Sequence, residues 1–374
     1  MNGTIRVGNL FGIPFYIAQS WFLVLGLMTW SYASGLADQF PALGGLLPLL
    51  LGLVAALLLF ASVLAHELGH SFVAIRQGIK VKSITLFLFG GLATLEKESK
   101  TPAEAFWVAI AGPLVSLLLF GLVTAINTFT PVSGPLAAIL GVLAYVNLAL
   151  ALFNLIPGLP LDGGNILKAL VWKITGNPYK GVVFASRVGQ LIGWLAIASG
   201  VIPFLLFGSF GNFWNVLLGW FLLQNAGRAA QSATVQEKLK DLTAADAVSP
   251  DSPVVPAHLS LREFADKSIL GNAKWQRFLV TDESGQLVGA IPVDDLRTIP
   301  TTRWEETFVR ELMQPIEQSA VVQSNQSLLE AIMLLEQQQR SALPVIRDNG
   351  VLVGILELAS VLRLLQSRAQ ANPA

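Results

Sequence analysis

Two histidines four residues apart, with a glutamate beside the first, are the part of this sequence best suited to chemistry: His66-Glu67-Leu68-Gly69-His70. On a helix advancing about 100° per residue, positions 66 and 70 lie about 40° apart on one face, near enough to share an ion. Neutral imidazoles suit Zn²⁺, and Glu67 stands where it could take a proton from a bound water. The motif closes a continuous apolar run. A carboxylate and two imidazoles in such surroundings are expensive to bury, which argues for function over packing. The one other histidine, His258, falls in a polar region and reads as an ordinary surface residue.

The elements that must position these groups look membranous. Of 374 residues, 53% are hydrophobic and 13% charged, against about 25% charged in ordinary soluble proteins. The net charge of zero conceals a split: residues 1–236 hold 11 Lys and Arg against 6 Asp and Glu, and residues 237–374 hold 13 against 18. Neither half offers a basic surface for nucleic acid. The absence of cysteine excludes disulfides, thiolate zinc sites and a cysteine nucleophile. The start, Met1-Asn2-Gly3-Thr4-Ile5-Arg6, lacks the short apolar core and cleavage site of a secretory leader.

Six apolar runs are candidates to span a bilayer: 15–32, 49–65, 106–126, 136–153, 188–207 and 213–224. Arg6, the loop with Arg76, Lys80, Lys82, Lys97 and Lys100, the loop with Lys168, Lys173, Lys180 and Arg187, and Arg228 fall on one side of a six-span arrangement. The other three connections contain no Lys or Arg, so both termini and the basic loops are expected to be cytoplasmic. The segment 82–95 is rich in β formers around Gly90-Gly91 and too short to cross twice as helix; it reads as a β-hairpin dipping into the membrane.

A catalytic zinc takes three protein ligands and keeps one position open. The acidic residues of the apolar half are Asp38, Glu67, Glu96, Glu98, Glu104 and Asp162. Asp38 lies on the opposite side, and Glu96, Glu98 and Glu104 share a charged, solvated loop. Asp162 emerges on the same side as the histidines, from Asn154-Leu155-Ile156-Pro157-Gly158-Leu159-Pro160-Leu161-Asp162-Gly163-Gly164. A loop that merely ends a helix would account for its prolines and glycines alone.

An HExxH helix followed two spans later by N-x-x-P-x-x-P-x-D-G resembles the site-2 protease family of intramembrane zinc metalloproteases. The matching residues are His66, Glu67, His70, Asn154, Pro157, Pro160, Asp162 and Gly163; Ala111-Gly112-Pro113 and Phe89-Gly90-Gly91 also look like the family. The resemblance implies one Zn²⁺ per chain on His66, His70 and Asp162, with Glu67 as catalytic base. It implies Asn154, and the hairpin at Gly90 and Gly91, in substrate positioning. The expected substrate is a transmembrane segment of another protein, cut near the cytoplasmic face of the cell (inner) membrane.

The polar remainder repeats itself. Residues 278–289 align without gaps on 343–354, and each copy follows an expected helix opened by a capping box, Ser260 with Glu263 and Ser327 with Glu330. The order strand, helix, strand, turn, strand, helix resembles paired CBS (cystathionine-β-synthase-type) motifs. The expected architecture is therefore a polytopic α-helical membrane domain (1–230, about six spans plus the hairpin), a linker (231–242) and a soluble α/β CBS pair (243–374, repeats about 243–300 and 308–365). The resemblance implies an adenine-nucleotide cleft between the repeats and a homodimer formed through the pair. Here Pro292 stands where the nucleotide signature has a hydroxyl, Asp295 keeps its acid, and Glu357 in the second copy would repel phosphate. Two other classes compete with the protease: a CBS-regulated transporter or channel, and an inactive scaffold that binds client helices. A transporter needs ionisable groups through both leaflets, whereas here they gather at one face.

Overall fold

The computed structural model describes residues 4–87, 90–208, 211–249, 251–266, 275–316 and 321–371. It divides into two compact units, Met1–Thr234 and Val235–Ala374.

The first unit opens with a hairpin, β1 (Thr4–Leu10) and β2 (Ile13–Ala18), joined through Phe11 and Gly12, both at positive φ. In β2 the alternate residues Ile13, Phe15 and Ile17 are buried, so period-two burial, not helical wrapping, governs this stretch. This corrects the first expected run: its opening residues are strand, and helix α1 (Gln19–Gln39) begins only at Gln19. β2 runs parallel to β3 (Val81–Phe87), which pairs antiparallel with β4 (Gly90–Leu95). The sheet order is β1-β2-β3-β4, which leaves β4 at an edge. The turn between β3 and β4, including Phe89 of the Phe89-Gly90-Gly91 match, lies outside the described residues. Ile13, Phe15, Ile17, Ile84 and Leu86 pack with Trp21 of α1 and with Phe60.

Phe60 belongs to α2 (Leu47–Arg76), which carries the HExxH motif in its last three turns. It is followed by α3 (Pro102–Phe129), α4 (Gly134–Asn154), α5 (Asp162–Thr175), α6 (Pro178–Phe207) and α7 (Phe213–Leu239). Local signals set these ends. Thr101 accepts a hydrogen bond from the Glu104 amide ahead of Pro102, and the Asn177 side chain accepts from the Tyr179 and Lys180 amides ahead of Pro178. Gly176 and Gly208 terminate α5 and α6 in the left-handed region. Among the described residues four helices are long and apolar enough to cross a membrane: α2, α3, α4 and α6, with mean hydropathies of 2.7, 2.3, 2.3 and 1.9. Large side chains such as Leu118, Leu122, Leu191 and Leu195 stay outward on them, as lipid-facing residues do. Helices α1 and α7 are 21 and 27 residues long but are not among those four. The helix α5 was not anticipated; the expected fifth run lies within α6.

In the second unit each repeat supplies the expected order. β6 (Val254–Pro256), α8 (Leu261–Phe264), β7 (Arg277–Thr281) and β8 (Leu287–Pro292) form the first copy, completed by a 3-10 turn at Val293–Thr298 and followed by the single turn α9 (Val309–Leu312). β9 (Val322–Gln323), α10 (Leu328–Gln337), β10 (Ala342–Ile346), β11 (Leu352–Glu357) and α11 (Leu358–Ala371) form the second, with β5 (Val248–Ser249) added to the β11 edge. The aligned Gly285 and Gly350 both sit at positive φ, and the two turns bond to each other, Leu287 N to Gly350 O and Leu352 N to Gly285 O. The Ser260–Glu263 capping box is present. Ser327 precedes α10 without a side-chain cap; the first helical amide, Leu328, donates to Leu242 O instead. Thr243 donates its amide and hydroxyl to Asp246, which holds that carboxyl below the usual range.

Candidate metalloprotease active site

His66 and His70 point from one face of α2 into the interior of the helical unit. The Nδ1 of His70 lies 2.7 Å from Val108 O, and the Nδ1 of His66 lies 2.9 Å from Ser116 Oγ; both partners belong to α3. A carbonyl oxygen only accepts, so His70 Nδ1 carries the proton and leaves its Nε2 lone pair free. A Ser116 hydroxyl that accepts from His66 Nδ1 sets the same tautomer there, the arrangement seen behind metal-binding imidazoles.

The two free nitrogens meet Asp162, the first residue of α5. His66 Nε2 lies 3.1 Å from Asp162 Oδ2, His70 Nε2 lies 3.3 Å from the same oxygen, and the two nitrogens are 3.3 Å apart. Three lone-pair donors at such distances repel one another unless a proton or a cation lies between them. Donors placed about 2.05 Å from a tetrahedral ion are about 3.3 Å apart, so the trio fits zinc. The surroundings fit it too. A Cβ on Gly112 of α3 would collide with His70 Nε2 and come within 2.7 Å of His66 Nε2, so the glycine floors this space. Gly69 lets α2 and α3 approach, since a Cβ there would lie 2.9 Å from Ala111 O.

The loop that delivers Asp162 is anchored on α6. Leu159 N donates to Ala185 O at 3.2 Å, and a Cβ on Gly158 would lie 2.7 Å from the Gly189 Cα. The proline-glycine composition of 157–164 thus serves close backbone packing as well as helix termination.

Glu67 turns toward β4. Its Oε2 accepts from the Ala93 amide at 3.1 Å, and its stem lies on Gly91, where a Cβ would come within 2.9 Å of Glu67 Cδ. Glu96 N donates to Lys80 O within the β3–β4 ladder, so alternation turns Gly91, Ala93 and Leu95 to the free edge. A cavity of about 450 Å³ lies along that edge. His66, Glu67, His70 and Asp162 line it, as do Gly90, Gly91 and Asn154, the last residue of α4. All seven residues singled out from the sequence therefore border one space. The sequence did not single out Ser116, Val108 or Ala93.

A helical membrane domain with two imidazoles and a carboxylate converging beside a glutamate has the architecture of a membrane metallopeptidase. The model of peptidase family M50 matches residues 54–132 and 121–196, and that of the CBS domain matches 244–300 and 309–367. The sll0528 protein of Synechocystis sp., named for the zinc metalloproteases, is 57% identical over 369 residues, covering 99% of this chain and 97% of its own. Rip3 of Mycobacterium tuberculosis, named for the same class, is 32% identical over 380 residues, covering 100% and 95%. The solved site-2 protease from Methanocaldococcus jannaschii is 28% identical, covering 61% of this chain and 95% of its own, with a TM-score of 0.43. The chain belongs to peptidase family M50, the zinc metalloproteases of the site-2 protease type, and carries a pair of CBS domains.

Proposed function

We propose that this protein hydrolyses a peptide bond within or beside a transmembrane segment of another membrane protein, with zinc held by His66 Nε2, His70 Nε2 and Asp162 Oδ2. The observation that carries this reading is the meeting of those three atoms beside Glu67, at the end of an apolar helix. When bound, zinc supplies Lewis acidity and lowers the pKa of a coordinated water. Glu67 would take a proton from the attacking water as the water oxygen bonds to the scissile carbonyl carbon, and would pass that proton to the amide nitrogen, so that the C–N bond breaks into a carboxylic acid, which ionises, and an amine. Ser116 and Val108 O keep the imidazoles in the tautomer that faces the ion.

A helical peptide bond is shielded, and the free edge of β4 offers a way to open it. An extended substrate segment adds as a strand against Gly91 and Ala93, beside Gly90. Its carbonyl replaces Glu67 as acceptor of the Ala93 amide, which releases the carboxylate for proton transfer. Asn154, at the rim, donates its side-chain amide to the scissile carbonyl. In this reading α1 and α7 also cross the bilayer, giving six spans, and the β3–β4 hairpin dips into it. The basic loops put the site and both termini on the cytoplasmic side of the cell membrane. The tail from about residue 243 regulates or dimerises the enzyme.

Protein purified in lipid should hold about one zinc per chain and cleave a single-span test substrate. Glu67→Gln should keep the metal and lower the cleavage rate about 10²–10⁴-fold, the usual contribution of a positioned acid–base group. A zinc-free chain, or a Glu67→Gln variant that cuts at the parental rate, would overturn the assignment.

A further inference from the structure

One face of α5 also lines the cavity beside β4. Asp162, Asn165, Lys168 and Trp172 succeed each other at helical spacing and all line it, so a polar stripe leads outward from the metal donors. Lys168 is the one cation lining the cavity among the described residues, and its side chain is only 17% exposed. Its Nζ is 3.0 Å from Glu98 Oε2, and that carboxylate is 82% exposed, on the loop that follows β4.

The two halves of this ion pair are unequal. The Lys168 stem is mostly covered and holds its ammonium at the cavity wall, whereas a carboxylate in water loses little by leaving. Glu98 is therefore a replaceable counter-ion for a cation fixed inside the substrate cavity. Six helical residues separate Lys168 from Asp162, a rise of about 9 Å, which an extended strand covers in about three residues.

We propose that Lys168 is a specificity-determining residue that binds a substrate carboxylate about three residues from the cleaved bond, with Glu98 holding its place in the free enzyme. The inference rests on the active-site reading above. The carboxylate has two sources, an Asp or Glu side chain or the free end of a chain already cut nearby.

The test is a panel of single-span substrates in which each position two to four residues to either side of the cut carries Asp or Asn, and Glu or Gln. A second arm ends the chain at those positions as acid or amide. The readout is the acid-to-amide ratio of kcat/KM, which cancels general loss of activity. The unmodified protein should favour the acid about tenfold at one position, the worth of one charge-assisted hydrogen bond. That ratio should fall to about one in Lys168→Gln, drop below one in Lys168→Glu, and rise in Glu98→Gln. A preference confined to the second arm assigns the carboxylate to the chain end. Equal cleavage of acid and amide throughout, or an acid preference that survives Lys168→Glu, overturns the inference alone. Failure of the unmodified protein to cut any member overturns the protease reading and the inference with it.

Discussion

Gly112→Ala adds one methyl group at the floor of the donor cluster. Its Cβ would stand 2.6 Å from His70 Cε1 and 2.7 Å from His66 Nε2, where ordinary contact begins at 3.4 Å. His66 would have to retreat by about 0.7 Å and His70 by more, several times the ±0.2 Å tolerance of a metal–ligand distance. They cannot do so without breaking the bonds from Nδ1 to Ser116 and to Val108 O. The expected result is loss of bound zinc and of cleavage at a folding cost of about 1–3 kcal/mol, the range for overpacking. Gly121→Ala is the control: it lies on the same helix with nothing within 4 Å of an added Cβ, and alanine is the better helix former. Metal analysis per chain, alongside thermal unfolding in matched detergent, separates the two effects. A folded Gly112→Ala protein holding one zinc with parental affinity would refute the argument.

The remaining predictions concern the groups around the donors. Ser116→Ala removes the partner of His66 Nδ1, and zinc affinity measured by chelator competition should weaken about 10–100-fold. Gly91→Ala would push on the Glu67 side chain while leaving the histidines alone, so zinc content should stay near one per chain while kcat falls; parental kcat would show that Glu67 has room to move. Lowering the pH through the acid range should remove the small stabilisation that Asp246 gives the start of the CBS pair. Its folded pKa is depressed, so that contribution is present above the unfolded value of about 4 and lost below it. Asp246→Asn should flatten that part of the unfolding profile.

What the sequence made legible follows from the range of each interaction. His66 and His70 were readable because their pairing is local, four residues on one helix. Asp162 was readable because the topology expected from the basic loops puts it at the same end of its span as the histidines. The duplicated turn at Gly285 and Gly350 announced itself through a gapless repeat with the same backbone requirement twice. Ser116, Val108 O and the Ala93 amide were not readable. Each acts through tertiary contact, and a serine, a carbonyl and an amide carry no mark of their own. The opening residues of the first run misled for a different reason: Phe15 and Ile17 are as apolar as a spanning helix, and only a neighbouring strand, β3, makes their alternation decisive. Helix α5 was hidden because prolines and glycines just before it read as loop, although Asp162 is already its first residue.

The donor set also spans a long stretch of chain. Ninety-six residues separate His66 from Asp162, and α3 and α4 lie between them. During synthesis, which proceeds from the N-terminus, the two imidazoles are made and inserted well before the carboxylate exists. A nascent chain thus carries two of the three donors, a pair that holds a cation only weakly. The donor set is complete only once α5 has emerged, after three of the four long apolar helices of the membrane domain have been made.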